Sequence, residues 1–145
     1  MYFFLRLAAA AVVAPASAAL IFCCGVAVLA GSLSELPYAV ILVFMAVLYG
    51  FTPALLFGSI GATISERWLT NKPGLLWGAA GAVTTLAYVV VAVTTAALLP
   101  SVTQWFAPWA LLPAREIATP GVIASILFGG FVGGLTYRAL SPTAR

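Results

Sequence analysis

The sequence predicts an all-α integral membrane protein built as a four-transmembrane-helix bundle, and three observations lead to this fold class. Of the 145 residues, 64% are apolar and 6% are charged, whereas soluble domains are about 45–50% apolar and about 25% charged. The mean hydropathy is +1.18, so most of the surface must face lipid. The apolar residues form four continuous segments without the alternation of barrel strands. These features exclude a cytosolic enzyme, a secreted disulfide scaffold and a disordered chain.

A transmembrane helix needs about 20 predominantly apolar residues, and four segments meet this requirement. The single membrane domain 1–145 is predicted to contain spans at about 7–31, 38–64, 74–99 and 121–137, an outer connection at about 100–120, and a short cytoplasmic tail at 138–145. Arg6, followed by an apolar run with Ala16, Ser17 and Ala18, is typical of a cleavable signal peptide. Because the apolar run continues to Gly31, we interpret this segment as an uncleaved first helix.

The six basic residues predict the orientation, because Lys and Arg are enriched in cytoplasmic loops. Five of them fall on one side of the predicted spans: Arg6, Arg67, Lys72, Arg138 and Arg145. Arg115 falls on the other side. The prediction is therefore N-in/C-in, with both termini cytoplasmic, in a bacterial-type inner membrane. Since the basic residues are scattered singly, nucleic-acid binding is not expected.

The connection between the third and fourth spans is long and apolar, and it predicts a short segment that lies in the outer interface. Tryptophan is enriched at membrane interfaces, and this connection carries Trp105 and Trp109, while Trp68 lies in the inner loop. Pro108 and Pro113 limit any helix there to a turn or two. The three tryptophans are predicted interfacial anchors. Two interpretations stay open for them, an ordinary aromatic belt or a docking surface for a partner subunit.

Small residues recur at every fourth position in three of the predicted helices, and such residues let helix backbones approach closely in lipid. The series are Ala46, Gly50, Ala54 and Gly58 in the second span, Gly74, Gly78 and Ala82 in the third, and Gly121, Ser125, Gly129 and Gly133 in the fourth. In the fourth span, Gly130 and Gly134 add a second small face. We predict that these are helix-packing surfaces. They serve either contacts between the helices of one chain or contacts with a partner protein or a second copy.

The residue types that most enzymes and metal sites need are missing. The sequence has no histidine and no aspartate, and its three acidic residues, Glu35, Glu66 and Glu116, fall in predicted connections. Cys23 and Cys24 are adjacent within an apolar segment, where a thiolate is disfavoured. A Ser/His/Asp triad is excluded, and a haem or zinc site lacks a ligand set. We expect no catalytic residue and no metal or cofactor held by the chain's own side chains, while a bound lipid or apolar cofactor stays open.

What remains is a non-catalytic membrane protein that acts by helix packing and binding. The first expectation is an accessory or assembly subunit of a larger membrane complex, with membrane lipid and other membrane protein subunits, or copies of itself, as partners. The alternative is a small oligomeric transporter or channel subunit for a neutral or apolar substrate. Proton-coupled transporters carry an ionisable residue at membrane depth, and none is predicted here. A continuous polar path through the helices would favour transport, and a dry core would favour binding.

Overall fold

The computed structural model describes residues 2–31, 36–107 and 119–141. These residues are 92% helical and contain no strand. Their helices are α1 (Tyr2–Ala30), α2 (Leu36–Leu69), α3 (Gly74–Leu98), α4 (Pro100–Phe106) and α5 (Pro120–Ala139). Four of them, α1, α2, α3 and α5, are long and apolar enough to cross a membrane. The predicted all-helical class, with four helices long and apolar enough to span a membrane, is therefore confirmed for the described residues.

The helices extend past the predicted spans at their polar ends. α1 begins at Tyr2 and α2 ends at Leu69, so Arg6 and Glu66 lie within helices. Arg and Glu are good helix formers, whereas a span predicted from hydropathy stops at the last apolar residue. α2 has 34 residues and is therefore about 51 Å long. Because this exceeds the roughly 30 Å hydrocarbon core, α2 must tilt in the membrane or project beyond the core.

The connection between α2 and α3 is short. The backbone N–H of Lys72 donates to the carbonyl of Leu69 at 2.9 Å. Pro73 follows with an extended backbone (ψ 151°), and α3 begins at Gly74. Proline lacks the N–H that a continuing helix would need, so α2 does not continue into α3. Trp77 bonds to Leu69 and Phe57 packs against Tyr88, so α2 and α3 run antiparallel as neighbours.

Each long helix packs mainly against two others. α5 lies between α1 and α3, and α2 contacts both α1 and α3. Contacting positions run in opposite directions along the two helices of each pair, so these neighbours are antiparallel; in α2, for example, Gly58 meets Leu7 and Gly50 meets Pro15 of α1. This packing places Arg6, Leu69 and Arg138 together at one end of the helices, which we call the basic end. The other end, where α1 and α3 finish and α5 starts, is the opposite end.

The largest buried hydrophobic side chains, Leu7, Trp77 and Tyr137, form a cluster at the basic end. A smaller cluster at the opposite end contains Ala92 and Ala107, and it forms where α4 folds back against α3. The predicted interfacial connection therefore starts with a seven-residue helix. Its continuation, residues 108–118, lies outside the described residues.

Candidate functional site

Three side chains from three helices meet at the basic end. Arg6 lies near the start of α1, Glu66 near the end of α2 and Tyr137 near the end of α5, and antiparallel packing brings these ends together. Arg6 Nη1 lies 3.1 Å from Glu66 Oε1. The Tyr137 hydroxyl donates to the same oxygen at 2.7 Å, and Arg6 Nε donates to the Tyr137 carbonyl at 3.2 Å. We call this the Arg6–Glu66–Tyr137 cluster, and it links α1, α2 and α5.

Aromatic rings cover this cluster and connect it to α3. The Arg6 guanidinium carbon lies 4.0 Å from the centre of the Tyr137 ring, which is a cation–π distance. The Trp77 ring of α3 stacks on the Tyr137 ring, with centroids 5.8 Å apart and planes inclined by 26°. Trp77 Nε1 donates to the Leu69 carbonyl at 2.9 Å. All four long helices are therefore joined at the basic end.

The charge of Arg6 is buried and compensated. Its side chain is 9% exposed, and that of Glu66 is 39% exposed. A buried charge requires an opposite charge and hydrogen bonds, because removal from water is otherwise very unfavourable. Every buried side-chain nitrogen or oxygen among the described residues has a hydrogen-bond partner. The arrangement thus holds helices together, and it leaves only part of the Glu66 carboxylate accessible.

The predicted orientation charges that the structure describes lie at the basic end. Arg6 belongs to the cluster, and the Arg138 guanidinium carbon lies 5.9 Å from the centre of the Trp77 ring. Arg67 and Lys72 are exposed. Arg145 lies outside the described residues. Two of these positive charges therefore contact aromatic rings, a role that the charge pattern did not indicate.

The predicted tryptophan anchors are described only in part. Trp68 is 78% exposed and lies near the end of α2, at the basic end. Trp105 belongs to α4, but its side chain lies outside the described part of the chain, as does the whole of Trp109. The interfacial role of the three tryptophans stays a prediction.

One small-residue face of α5 contacts α1. A Cβ atom placed on Gly129 would lie 2.5 Å from the Ala14 carbonyl oxygen and 2.7 Å from the Ala18 Cβ. A Cβ on Gly133 would lie 2.8 Å from the Ala14 Cβ. Real Cβ atoms essentially never come this close, so glycine at these positions allows the two backbones their separation.

The second small-residue face of α5 contacts α3. A Cβ on Gly134 would lie 2.9 Å from the Trp77 carbonyl carbon. A Cβ on Gly81 would meet the Gly130 carbonyl oxygen and would lie 2.9 Å from the Gly134 nitrogen. α5 is thus inserted between α1 and α3, and each of its small faces packs against a helix of the same chain except at Gly121.

The other predicted packing residues have different surroundings. Four of the glycines contact a side chain of a neighbouring helix: Gly50 meets Pro15, Gly58 meets Leu7, Gly78 meets Phe131 and Gly74 meets Leu135. Ser125 is buried, Ala82 is half-buried, and Ala46 and Ala54 line the cavity described below. Gly121 has no atom within 4 Å of a built Cβ. Gly61, which the four-residue series does not include, meets the side chain of Thr84. Gly61 adjoins the series on the helix surface, so a search for three- and four-residue spacings together would have found it.

Sequence reasoning also missed the Arg6–Glu66–Tyr137 cluster. The predicted topology puts Arg6 before the first span and Glu66 just after the second, on the same side, but no local sequence pattern joins them. One signal was available. Glu66 is the only acidic residue predicted on the side that carries five basic residues, so an ion pair with one of them could have been expected.

A cavity of about 510 Å³ lies between the four long helices. It reaches from Trp77 and Tyr137 at the basic end to Phe22 and Val122 near the opposite end. None of the described residues that line it is Glu, Lys or Arg. Its volume falls within the range of about 300–1,000 Å³ that is typical of small-molecule sites.

Three hydroxyl groups on the cavity wall bond to their own helices. Thr84 donates to the Ala80 carbonyl at 2.8 Å, Thr85 to a carbonyl one turn earlier at 3.0 Å, and Ser125 to the Gly121 carbonyl at 2.7 Å. Such bonds to the preceding turn satisfy the hydroxyl within the helix. These groups therefore present mainly carbon to the cavity.

Cofactor ligands are sparse in the described part of the chain. Within residues 2–31, 36–107 and 119–141, no three Cys or acidic side chains lie together as a metal site would require. Cys23 and Cys24 are free thiols in α1. The expectation that no metal or cofactor is held by the chain's own side chains stays a prediction.

Comparisons of the chain with protein-family models, with curated proteins and with solved structures found no match. The features that bear on function are therefore the Arg6–Glu66–Tyr137 cluster, the glycine contacts and the cavity.

Proposed function

We propose that this chain is a non-catalytic protein of a bacterial-type inner membrane that acts by binding, as an accessory or assembly subunit of a larger membrane complex. The observation that carries the proposal is the character of the cavity. Its described lining residues include no Glu, Lys or Arg, and three of its hydroxyls bond to their own helices. Ion-coupled transporters place ionisable residues at membrane depth, so this interior suits binding better than coupled transport.

The exposed surface of α2 supports a role in a complex. Because α5 uses both small faces inside the chain, a partner protein would meet a different surface. Val40, Ile41, Phe44 and Leu48 form an outward stripe in the first half of α2 and are all more than half exposed. Aromatic and large aliphatic side chains of this kind pack against either lipid or another transmembrane helix.

Purification in a mild detergent tests the accessory role. We expect the tagged chain to co-purify with one or more membrane proteins in fixed stoichiometry. Phe44→Ala with Leu48→Ala should lower this recovery, whereas the matched change Val83→Ala with Leu86→Ala, on exposed positions of α3, should not. Recovery of the chain alone as a monomer would contradict the accessory role.

Elemental analysis and visible spectra of the same sample should show no stoichiometric metal or haem.

A second candidate function, a small oligomeric transporter or channel subunit for a neutral or apolar substrate, is favoured by the length of the cavity. Lining residues occur on all four long helices and over much of their length. A homo-oligomer in detergent, together with flux of an uncharged solute into proteoliposomes, would favour this candidate over the accessory role.

We further propose that the four long helices form a transmembrane bundle with both termini cytoplasmic. Arg6, Arg67, Lys72 and Arg138 lie at the same end, and the positive-inside rule assigns that end to the cytoplasm. Antiparallel packing of neighbouring helices is what four successive crossings require.

Cysteine labelling tests this orientation. In a background without Cys23 and Cys24, the variants Asn71→Cys and Gln104→Cys should react with a membrane-impermeant maleimide from opposite sides, Asn71→Cys from the cytoplasm. Asn71 is exposed in the short α2–α3 connection, so its reagent access does not depend on unfolding. Labelling of both positions from the same side would contradict the four-span topology.

A further inference from the structure

The cavity is long and narrow. Its lining residues on α1 run from Leu7 to Phe22, and those on α5 run from Tyr137 back to Val122. Both runs cover fifteen residue steps and hence about 22 Å of helix axis. A volume of about 510 Å³ open to atom centres, spread over this length, gives a spread of centres about 5.4 Å wide and hence about 8 Å between the walls.

This width limits what the cavity can hold. Non-bonded carbon atoms lie about 3.5–4.0 Å apart, so the cavity has room for one extended hydrocarbon chain or for two side by side. An α-helix with its side chains is about 10–12 Å wide, which excludes a transmembrane helix of a partner or of a second copy. A compact ligand would leave most of the 22 Å length of the cavity unfilled.

The wall chemistry selects an apolar occupant. No described lining residue is charged, and at least four of the seven hydroxyls on the wall are engaged: Thr84, Thr85 and Ser125 bond to their own helices and Tyr137 to Glu66, so the wall has few groups to replace the water lost by a polar ligand. In a membrane, hydrocarbon that fills the cavity restores the dispersion contacts that the empty walls would lose.

The two ends of the cavity differ in access. At the basic end its wall is formed by buried side chains, among them Trp77 at 3% and Tyr137 at 4% exposure. In the half towards the opposite end, Leu42, Met45 and Tyr49 line the cavity and are also 42–48% exposed. The wall is therefore open along the first half of α2 and closed beneath the Arg6–Glu66–Tyr137 cluster.

We propose that the cavity binds one membrane phospholipid through an acyl chain. The chain enters beside the first half of α2 from the leaflet at the opposite end, and its terminal carbons reach the Trp77 ring. The headgroup stays at the membrane surface, because the cavity offers it no charged partner. This binding site is independent of whether the protein is an accessory subunit.

Lipid retention tests the proposal. We expect the purified protein to retain one phospholipid per chain through exchange into a lipid-free detergent, as measured by native mass spectrometry. Ala54→Phe and, independently, Ala46→Leu fill the cavity and should lower retention roughly tenfold. Ala87→Phe is the matched control, because Ala87 is exposed on α3 and does not line the cavity. Thermal unfolding identifies variants that have failed to fold.

Fluorescence quenching tests the depth of the chain. In the variant Trp68→Phe with Trp105→Phe and Trp109→Phe, Trp77 is the remaining tryptophan. Phospholipid brominated near the chain end should quench it, although the Trp77 ring is shielded from bulk lipid. Addition of Ala54→Phe should remove the quenching. Equal lipid retention and equal quenching with and without Ala54→Phe would overturn the proposal, as would retention of an isoprenoid in place of a phospholipid.

Discussion

The variants Gly81→Ala and Gly134→Ala are each expected to lower the free energy of unfolding by about 2–3 kcal/mol, the upper part of the range for overpacked sites. The added methyl group at Gly81 meets the Gly130 carbonyl oxygen, and at Gly134 it meets the Trp77 carbonyl group. Both obstacles are backbone atoms, so no side-chain rotation relieves the contact. α3 and α5 must therefore move apart and lose dispersion contacts along their length.

Glycines without neighbours provide the control. Gly25 and Gly121 have no atom within 4 Å of a built Cβ, and alanine is the better helix former by about 1 kcal/mol in water. Gly25→Ala and Gly121→Ala should therefore leave stability unchanged or raise it. Gly61→Ala should have an intermediate effect, because it meets the Thr84 side chain, which can rotate. Unfolding of the purified protein in detergent measures all five. Equal effects at Gly134 and Gly121 would contradict the backbone-contact explanation.

The variant Glu66→Gln is expected to lower the free energy of unfolding by roughly 2 kcal/mol, less than the 3–5 kcal/mol of a fully buried ion pair. The Glu66 carboxylate compensates the Arg6 charge and accepts a hydrogen bond from the Tyr137 hydroxyl. The effect stays below the buried limit because the Glu66 side chain is 39% exposed. Tyr137→Phe removes one hydrogen bond to a charged group and should cost about 1.5 kcal/mol.

A double-mutant cycle separates the ion pair from general damage to the basic end. Arg6→Met with Glu66→Gln should be less destabilising than the sum of the two single changes, because neither charge is then left without its partner. Arg67 follows Glu66 in α2 and is exposed. As a control, Arg67→Gln should change the free energy of unfolding by no more than about 0.5 kcal/mol. Strict additivity in the cycle would mean that Arg6 and Glu66 do not interact.

Length and composition determined the class of this protein without any tertiary information. A helix in lipid must satisfy its own backbone hydrogen bonds, and about 20 apolar residues are needed to cross the hydrocarbon core. The four spanning segments therefore follow from hydropathy alone. Small residues such as Gly129 and Gly133 also marked surfaces of close approach in the sequence, because glycine has few other uses within a helix.

Only the tertiary structure decided which surfaces meet. The sequence places Gly129 and Gly130 next to each other, but the 100° rotation between successive helical residues directs one to α1 and the other to α3. Likewise, Arg6, Glu66 and Tyr137 are separated by 60 to 131 residues, and no local pattern relates their depths. Their meeting depends on antiparallel packing and on how far each helix extends past its apolar segment. The cavity depends on the same packing, because a space between helices is set by their separation and by small residues on several of them at once.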